Sequence, residues 1–179
     1  MTGRIIVGVD PGGRMTGIAA RSGDIYLGHE LVIRHGRSPI PGRAYLREVC
    51  ERVEAWRSAW PATRVVVAIE GVRERSRRVR RDDPGEGLIA LGKVLGALEL
   101  WFPDAVSVAP DRHGHNLLAA YPDPLVGADE RARLTGDGPL VHCRAAWDVA
   151  GRARLLLQAA RRAGPVAAGP QVAAGGDGR

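Results

Sequence analysis

The chain has 179 residues, 45% of them apolar, which suits one globular domain with a core of its own, and no stretch approaches the roughly 18 continuous apolar residues of a membrane-spanning helix. A formal charge of +6 and a pI near 10.3 suit a polyanionic partner, although Lys93 is the one lysine among 26 basic residues and an Arg-rich composition accounts for part of that charge. Cys50 and Cys143 have no companion at ligand or disulfide spacing, which excludes a disulfide framework and a zinc ribbon, and the early interruption by Asp10 excludes a signal peptide, so a cytoplasmic location is expected.

Residues 4–10 form an apolar run that suits a central strand, and Met15–Ala20 and Ile25–Ile33 are further strands separated by the turns Pro11-Gly12-Gly13 and Ser22-Gly23-Asp24. Three strands joined this tightly imply an antiparallel meander. Leu46, Val49, Val53, Trp56 and Trp60 then recur at helical spacing until Pro61. "RVVVAIE" is a buried strand ending in Glu70, Leu88 to Phe102 carries a second helix, and "AVSVAP" a fifth strand. The segment Asp111 to Pro139 holds only short helical or irregular structure, and a last helix is expected from about Arg144 to Arg162. Residues 164–179 are rich in Gly, Pro and Ala and lack the bulky side chains that would offset their ordering entropy, so the expected domain is 1–163 followed by a flexible tail.

Asp10 and Glu70 each close a hydrophobic run, which places them near the C-terminal ends of central strands, the edge where open α/β sheets carry their sites. One strand-end acid is also what an ordinary turn contains. Two neighbouring acids in a partly desolvated cleft repel unless a proton or a cation lies between them, and Mg²⁺ takes oxygen ligands while keeping room for a phosphate. Asp148, in the first turns of the last helix, is a third candidate, although the helix dipole alone would favour an acid there. Three carboxylates from two strands and a helix suit two-metal hydrolysis of a phosphodiester.

These stretches together resemble a known family. "IIVGVDPGGRMTGIAA" is similar to the first-strand signature of RuvC-type Holliday-junction resolvases, "VVVAIEGV" to their second acidic strand, "LIALGKVLGALEL" to the helix that follows, and "AAWDVAGRA" to their C-terminal acidic helix. The order is the family's and covers most of residues 4–160. The resemblance implies a ribonuclease H-like α/β fold, a mixed five-stranded sheet with three antiparallel then parallel strands, flanked by helices. It also implies Asp10, Glu70 and Asp148 as catalytic metal ligands for Mg²⁺, with Mn²⁺ able to substitute, and a homodimer acting on four-way or other branched DNA. The family's further ligand, Asp or His three residues before the last Asp, falls on Ala145 here; His142, six residues before Asp148, is the candidate replacement.

"RERSRRVRR", residues 73–81, has six Arg and one Glu. Such a run is either a solvated loop or a phosphate tracker, and its position after the Glu70 strand favours Arg73, Arg75, Arg77, Arg78, Arg80 and Arg81 as nucleic-acid contacts, with Lys93 on the next helix. His113 and His115 have H-x-H spacing but no residues to complete a zinc site, leaving a DNA-contacting or proton-handling loop. Aromatics are only 4%, which favours backbone over base-stacking recognition. The alternatives are an RNA-processing nuclease of the same fold, similar to the YqgF type, or a nucleic-acid-binding module without catalysis. An actin-like sugar kinase would need two lobes, for which the chain is too short.

Overall fold

The structure is a computed structural model that describes residues 4–61, 63–72, 85–133, 136 and 138–163. The tail 164–179 lies outside the described residues. The elements run β1 (Ile5–Asp10), β2 (Met15–Ser22), β3 (Ile25–Ile33), α1 (Arg43–Ser58), β4 (Val65–Glu70), α2 (Glu86–Trp101) and β5 (Val106–Val108). Two short 3-10 turns, Leu118–Ala120 and Asp123–Leu125, and a short helix α3 (Ala128–Arg133) lead into α4 (Val141–Ala163). The five strands form one sheet in the order β3-β2-β1-β4-β5. β1 to β3 pair antiparallel, whereas β4 and β5 join parallel, with Val9 opposite Ile69 and Glu70 opposite Val108. The mixed α/β sheet expected from the sequence is present.

β1 has five consecutive buried residues because it is the central strand, covered on both faces. Its side chains alternate between two cores. Val7 and Val9, with Ile18, Val67 and Ile69, pack against α1 through Val49 and Val53 and against α2 through Val94, Leu95 and Leu98. The helical residues recur at i and i+4, with Leu95 beside Val94, the stripe that one sheet face requires. On the opposite face, Ile6 and Ala68 meet Val149, Ala150 and Ala153 of α4, while Ala19 meets Cys143, Ala146 and Trp147. Period-two alternation therefore assigns Asp10 and Glu70, in phase with Ile6 and Ala68, to the α4 face.

Two glycines let α4 come down onto that face. A Cβ on Gly8 would land on the carbonyl oxygen of Ala146, and one on Gly17 would land on the carbonyl oxygen of His142. Since Gly17 pairs with Asp10 across the β1–β2 ladder, its missing side chain is what brings the start of α4 over the strand end. α4 begins at Val141, three residues before the start expected from the sequence, so His142 is already in its first turn. Among the described residues, no helix is long and apolar enough to cross a membrane.

Candidate active site

Asp10 and Glu70 end neighbouring parallel strands, one residue beyond the Val9–Ile69 pair. Their side chains are largely buried, with 16% and 14% exposure. The Glu70 carboxyl is pushed up from 4.5 to about 7, chiefly by burial; the His113 hydrogen bond opposes the rise, and Asp10, within hydrogen-bonding reach, adds to it. Two acids in one poorly solvated place resist simultaneous ionisation, the physical condition expected of the pair.

Each acid has an imidazole partner. His142 Nδ1 lies 2.7 Å from Asp10 Oδ2, and His113 Nδ1 lies 2.7 Å from Glu70 Oε1. His142 reaches Asp10 because α4 starts early and crosses Gly17, whereas His113 arrives from the loop after β5, whose strand pairs with β4 at Glu70. The turn after Asp10 is pinned as well. The Tyr45 hydroxyl of α1 donates to Gly12 O at 2.9 Å and lies 2.9 Å from the buried Thr16 hydroxyl, which ties Pro11-Gly12-Gly13 to the helix below.

Asp148 faces the loop instead. Its Oδ2 accepts hydrogen bonds from Gly114 N at 2.8 Å, the Tyr121 hydroxyl at 2.8 Å and Asn116 Nδ2 at 3.2 Å. Burial and the bond to Asp148 raise the Tyr121 phenol to about 12, so it stays a donor. Six residues of helix turn Asp148 well away from the direction of His142. One carboxylate oxygen is thus committed to holding residues 114–121, next to the histidine that meets Glu70.

The donor chemistry suits a hard divalent cation: two buried carboxylates within reach of each other, with imidazole nitrogens beside them. Among the described residues, however, no three His, Cys, Asp or Glu side chains converge in a metal-holding group as they stand. The donors form two carboxylate–imidazole pairs, with Asp148 tethered beside them.

No family model matches the chain, and no curated protein matches it. Solved structures do. Thermus thermophilus RuvC in complex with a Holliday junction substrate superposes over 87% of this chain and 96% of that chain with a TM-score of 0.57, at 17% identity. This chain has the RuvC fold. A second T. thermophilus RuvC structure matches over the same shares at 18% identity and a TM-score of 0.47. A ROK hexokinase from the same organism gives 0.40 at 18% identity, over 62% of this chain and 36% of its own.

Within the RuvC fold, the sequence candidates divide into three groups. Asp10, Glu70 and His142 lie at the strand ends under the start of α4, Asp148 lies in the adjoining loop network, and Lys93 is exposed on α2. Arg73, Arg75, Arg77, Arg78, Arg80 and Arg81 lie outside the described residues. His115 is exposed, whereas His113 is largely covered and lies against Glu70.

Sequence reasoning missed Arg144 altogether. Its guanidinium is fully buried and forms a two-point bond to Glu130, with both contacts at 3.0 Å, while also donating to Leu125 O at 3.0 Å and Gly136 O at 2.6 Å. Glu130 additionally accepts from Gly127 N and Gly138 N, each at 2.9 Å. The pair gathers the long 111–139 segment against α4 and so supports the loop that carries His113 and Gly114.

Proposed function

We propose that this chain is a metal-dependent endonuclease that hydrolyses phosphodiesters in branched DNA, with Holliday junctions as the substrate. The observation that carries this reading is the Asp10–Glu70 pair, buried on one sheet face at adjacent strand ends and overlain by α4, in a chain with the RuvC fold. Asp10 and Glu70 would hold Mg²⁺, or Mn²⁺ in its place, with His142 and the free oxygen of Asp148 as further donors. When bound, the ion supplies the positive charge that stabilises the transition state and yields a nucleophile near neutral pH.

The chain's own residues do the rest. Asp10 is oriented by the Gly12–Thr16–Tyr45 lock behind it and by His142 beside it. Glu70 is oriented by His113, whose loop is fixed through Gly114 and Tyr121 to Asp148. Four groups with fixed neighbours reorganise little when phosphate arrives, which is how a site gains from preorganisation. Arg73 to Arg81 and Lys93 contact phosphates on either side of the scissile bond in this reading, giving affinity without sequence preference.

Two equivalent strands are cut in a four-way junction, so the working form is a two-fold homodimer with one site per subunit. α2 supports this by leaving Leu88, Ile89, Leu100 and Trp101 exposed, more apolar surface than its own sheet contact uses. The two free, buried cysteines suit a cytoplasmic protein.

The test is a cleavage panel of synthetic four-way, flap and linear DNA and a single-stranded RNA, each with Mg²⁺ or EDTA. Symmetric nicking of the junction in Mg²⁺ alone is expected. Cleavage confined to RNA, or none of any substrate, would overturn the proposal.

A further inference from the structure

On the far side of the β1–β2 turn from the imidazoles lies an open cleft of about 580 Å³, within the range of ligand sites. Its walls include Gly13 and Arg14 from the turn, Arg34, Arg37 and Ser38 from the segment after β3, and Gly87 at the start of α2. We propose that this cleft binds the sugar-phosphate backbone of a DNA strand beside the bond that is cut. The inference rests on the nuclease reading and adds a second, separate phosphate contact to it.

Charge is the first support. Among the described residues, three guanidiniums line the cleft and no acid does. Among the described residues, Arg14, Arg34 and Arg37 form no ion pair, while Arg21, Arg52, Arg57, Arg131, Arg144 and Arg154 all do. The Nε of Arg34 is buried and has no hydrogen-bond partner. A buried donor without an acceptor is costly, so a phosphate that draws the Arg34 side chain out toward the cleft would relieve that cost.

Shape is the second. Gly36 and Gly87, where an added Cβ would meet nothing within 4 Å, place bare backbone along the cleft, so a chain can approach closely. Gly36 adopts φ +115°, a conformation that other residues rarely take. Among the described residues no aromatic side chain lines the walls, which removes a platform for a base and leaves backbone recognition. The openness also suits a strand that enters and leaves over an enclosed mononucleotide.

Position is the third. Arg34 N donates to Arg14 O at 2.9 Å, so the turn and the end of β3 hold two of the guanidiniums as one unit. Gly13 is three residues from Asp10, a chain length that spans at most about 11 Å.

The experiment measures anisotropy of fluorescein-labelled four-way junction and linear duplex in EDTA, across a salt series. It compares the full chain with Arg34→Gln/Arg37→Gln and with Arg37→Glu, the latter on an exposed residue where folding is not at stake. Each variant is expected to bind at least about tenfold more weakly, and the double variant to lose nearly 2 from the slope of log K against log salt, at ~0.9 per phosphate contact. dAMP and inorganic phosphate at millimolar concentration are expected not to compete. Wild-type protein that bound neither DNA would overturn the nuclease reading itself. Wild-type binding with unchanged affinity and slope in both variants would overturn the cleft alone, as would displacement of the DNA by dAMP.

Discussion

Replacing Arg144 by Met removes a fully buried guanidinium that the 111–139 segment packs around. Glu130 would be left with only Gly127 N and Gly138 N as partners, and the carbonyls of Leu125 and Gly136 would lose a donor. Breaking one side of a buried pair typically costs about 3–5 kcal/mol because the other charge stays desolvated. At about 2–4 °C per kcal/mol for a chain of this size, Tm should fall by roughly 6–20 °C. Changing Glu130 to Leu in the same chain removes the stranded charge and should recover much of that loss, since apolar replacements of buried pairs are often tolerated. The Arg144 bond also holds the Glu130 carboxyl below the usual carboxylate range. That contribution is therefore complete above the unfolded pKa near 4.5 and is lost as pH falls through the lower folded value, so the wild-type advantage should shrink in acid. Calorimetry of the wild type, both single variants and the double variant between pH 3 and 7 provides the cycle. An Arg144→Met protein within about 1 kcal/mol of wild type at pH 7 would refute the reasoning, because an exposed arginine would behave that way.

Three further outcomes follow from the site and its supports. With its carboxyl raised to about 7, native Glu70 holds a proton that the unfolded chain has released above 4.5, so metal-free stability falls as pH rises between these values; Glu70→Gln should stabilise the metal-free protein at pH 8 by on the order of 1–3 kcal/mol, read from urea midpoints. Gly17→Ala should destabilise by about 1–3 kcal/mol in the same assay, since its Cβ meets the His142 carbonyl and must push α4 off the Asp10 strand end. Burial pushes the Cys50 thiol up to about 11 and the Cys143 thiol up to about 12, so a thiol reagent at pH 8 should label neither in the native state and both after unfolding.

The strands and both strand-end acids were legible because their signal is local. Each acid closes an apolar run, and the D-P-G-G turn marks where β1 stops. Period-two alternation also held the answer to which sheet face carries Asp10 and Glu70, once Ile6 and Ala68 are seen to lie under α4. What stayed hidden depends on distant pairings. His113 meets Glu70 across 43 positions and His142 meets Asp10 across 132, and no spacing rule spans such gaps. The start of α4 read three residues late because Val141-His142-Cys143 follows a Gly/Pro-bearing segment and has no capping residue at its head. That difference puts His142 in the first turn of the helix. Asp148 reads as a ligand from its motif, yet its direction is set by a loop whose anchor, Arg144–Glu130, reads in sequence as two ordinary surface charges.

Under the proposed function, the Asp10–Glu70 strand-end pair cuts branched DNA. Asp10→Asn keeps the side chain's shape and removes its charge, so the most direct measurement compares this variant with wild type on a four-way junction in Mg²⁺, with binding to the same junction measured in EDTA. Loss of cleavage by about a hundredfold or more with junction affinity retained is the predicted result. Cleavage by Asp10→Asn at the wild-type rate would contradict the assignment of the site.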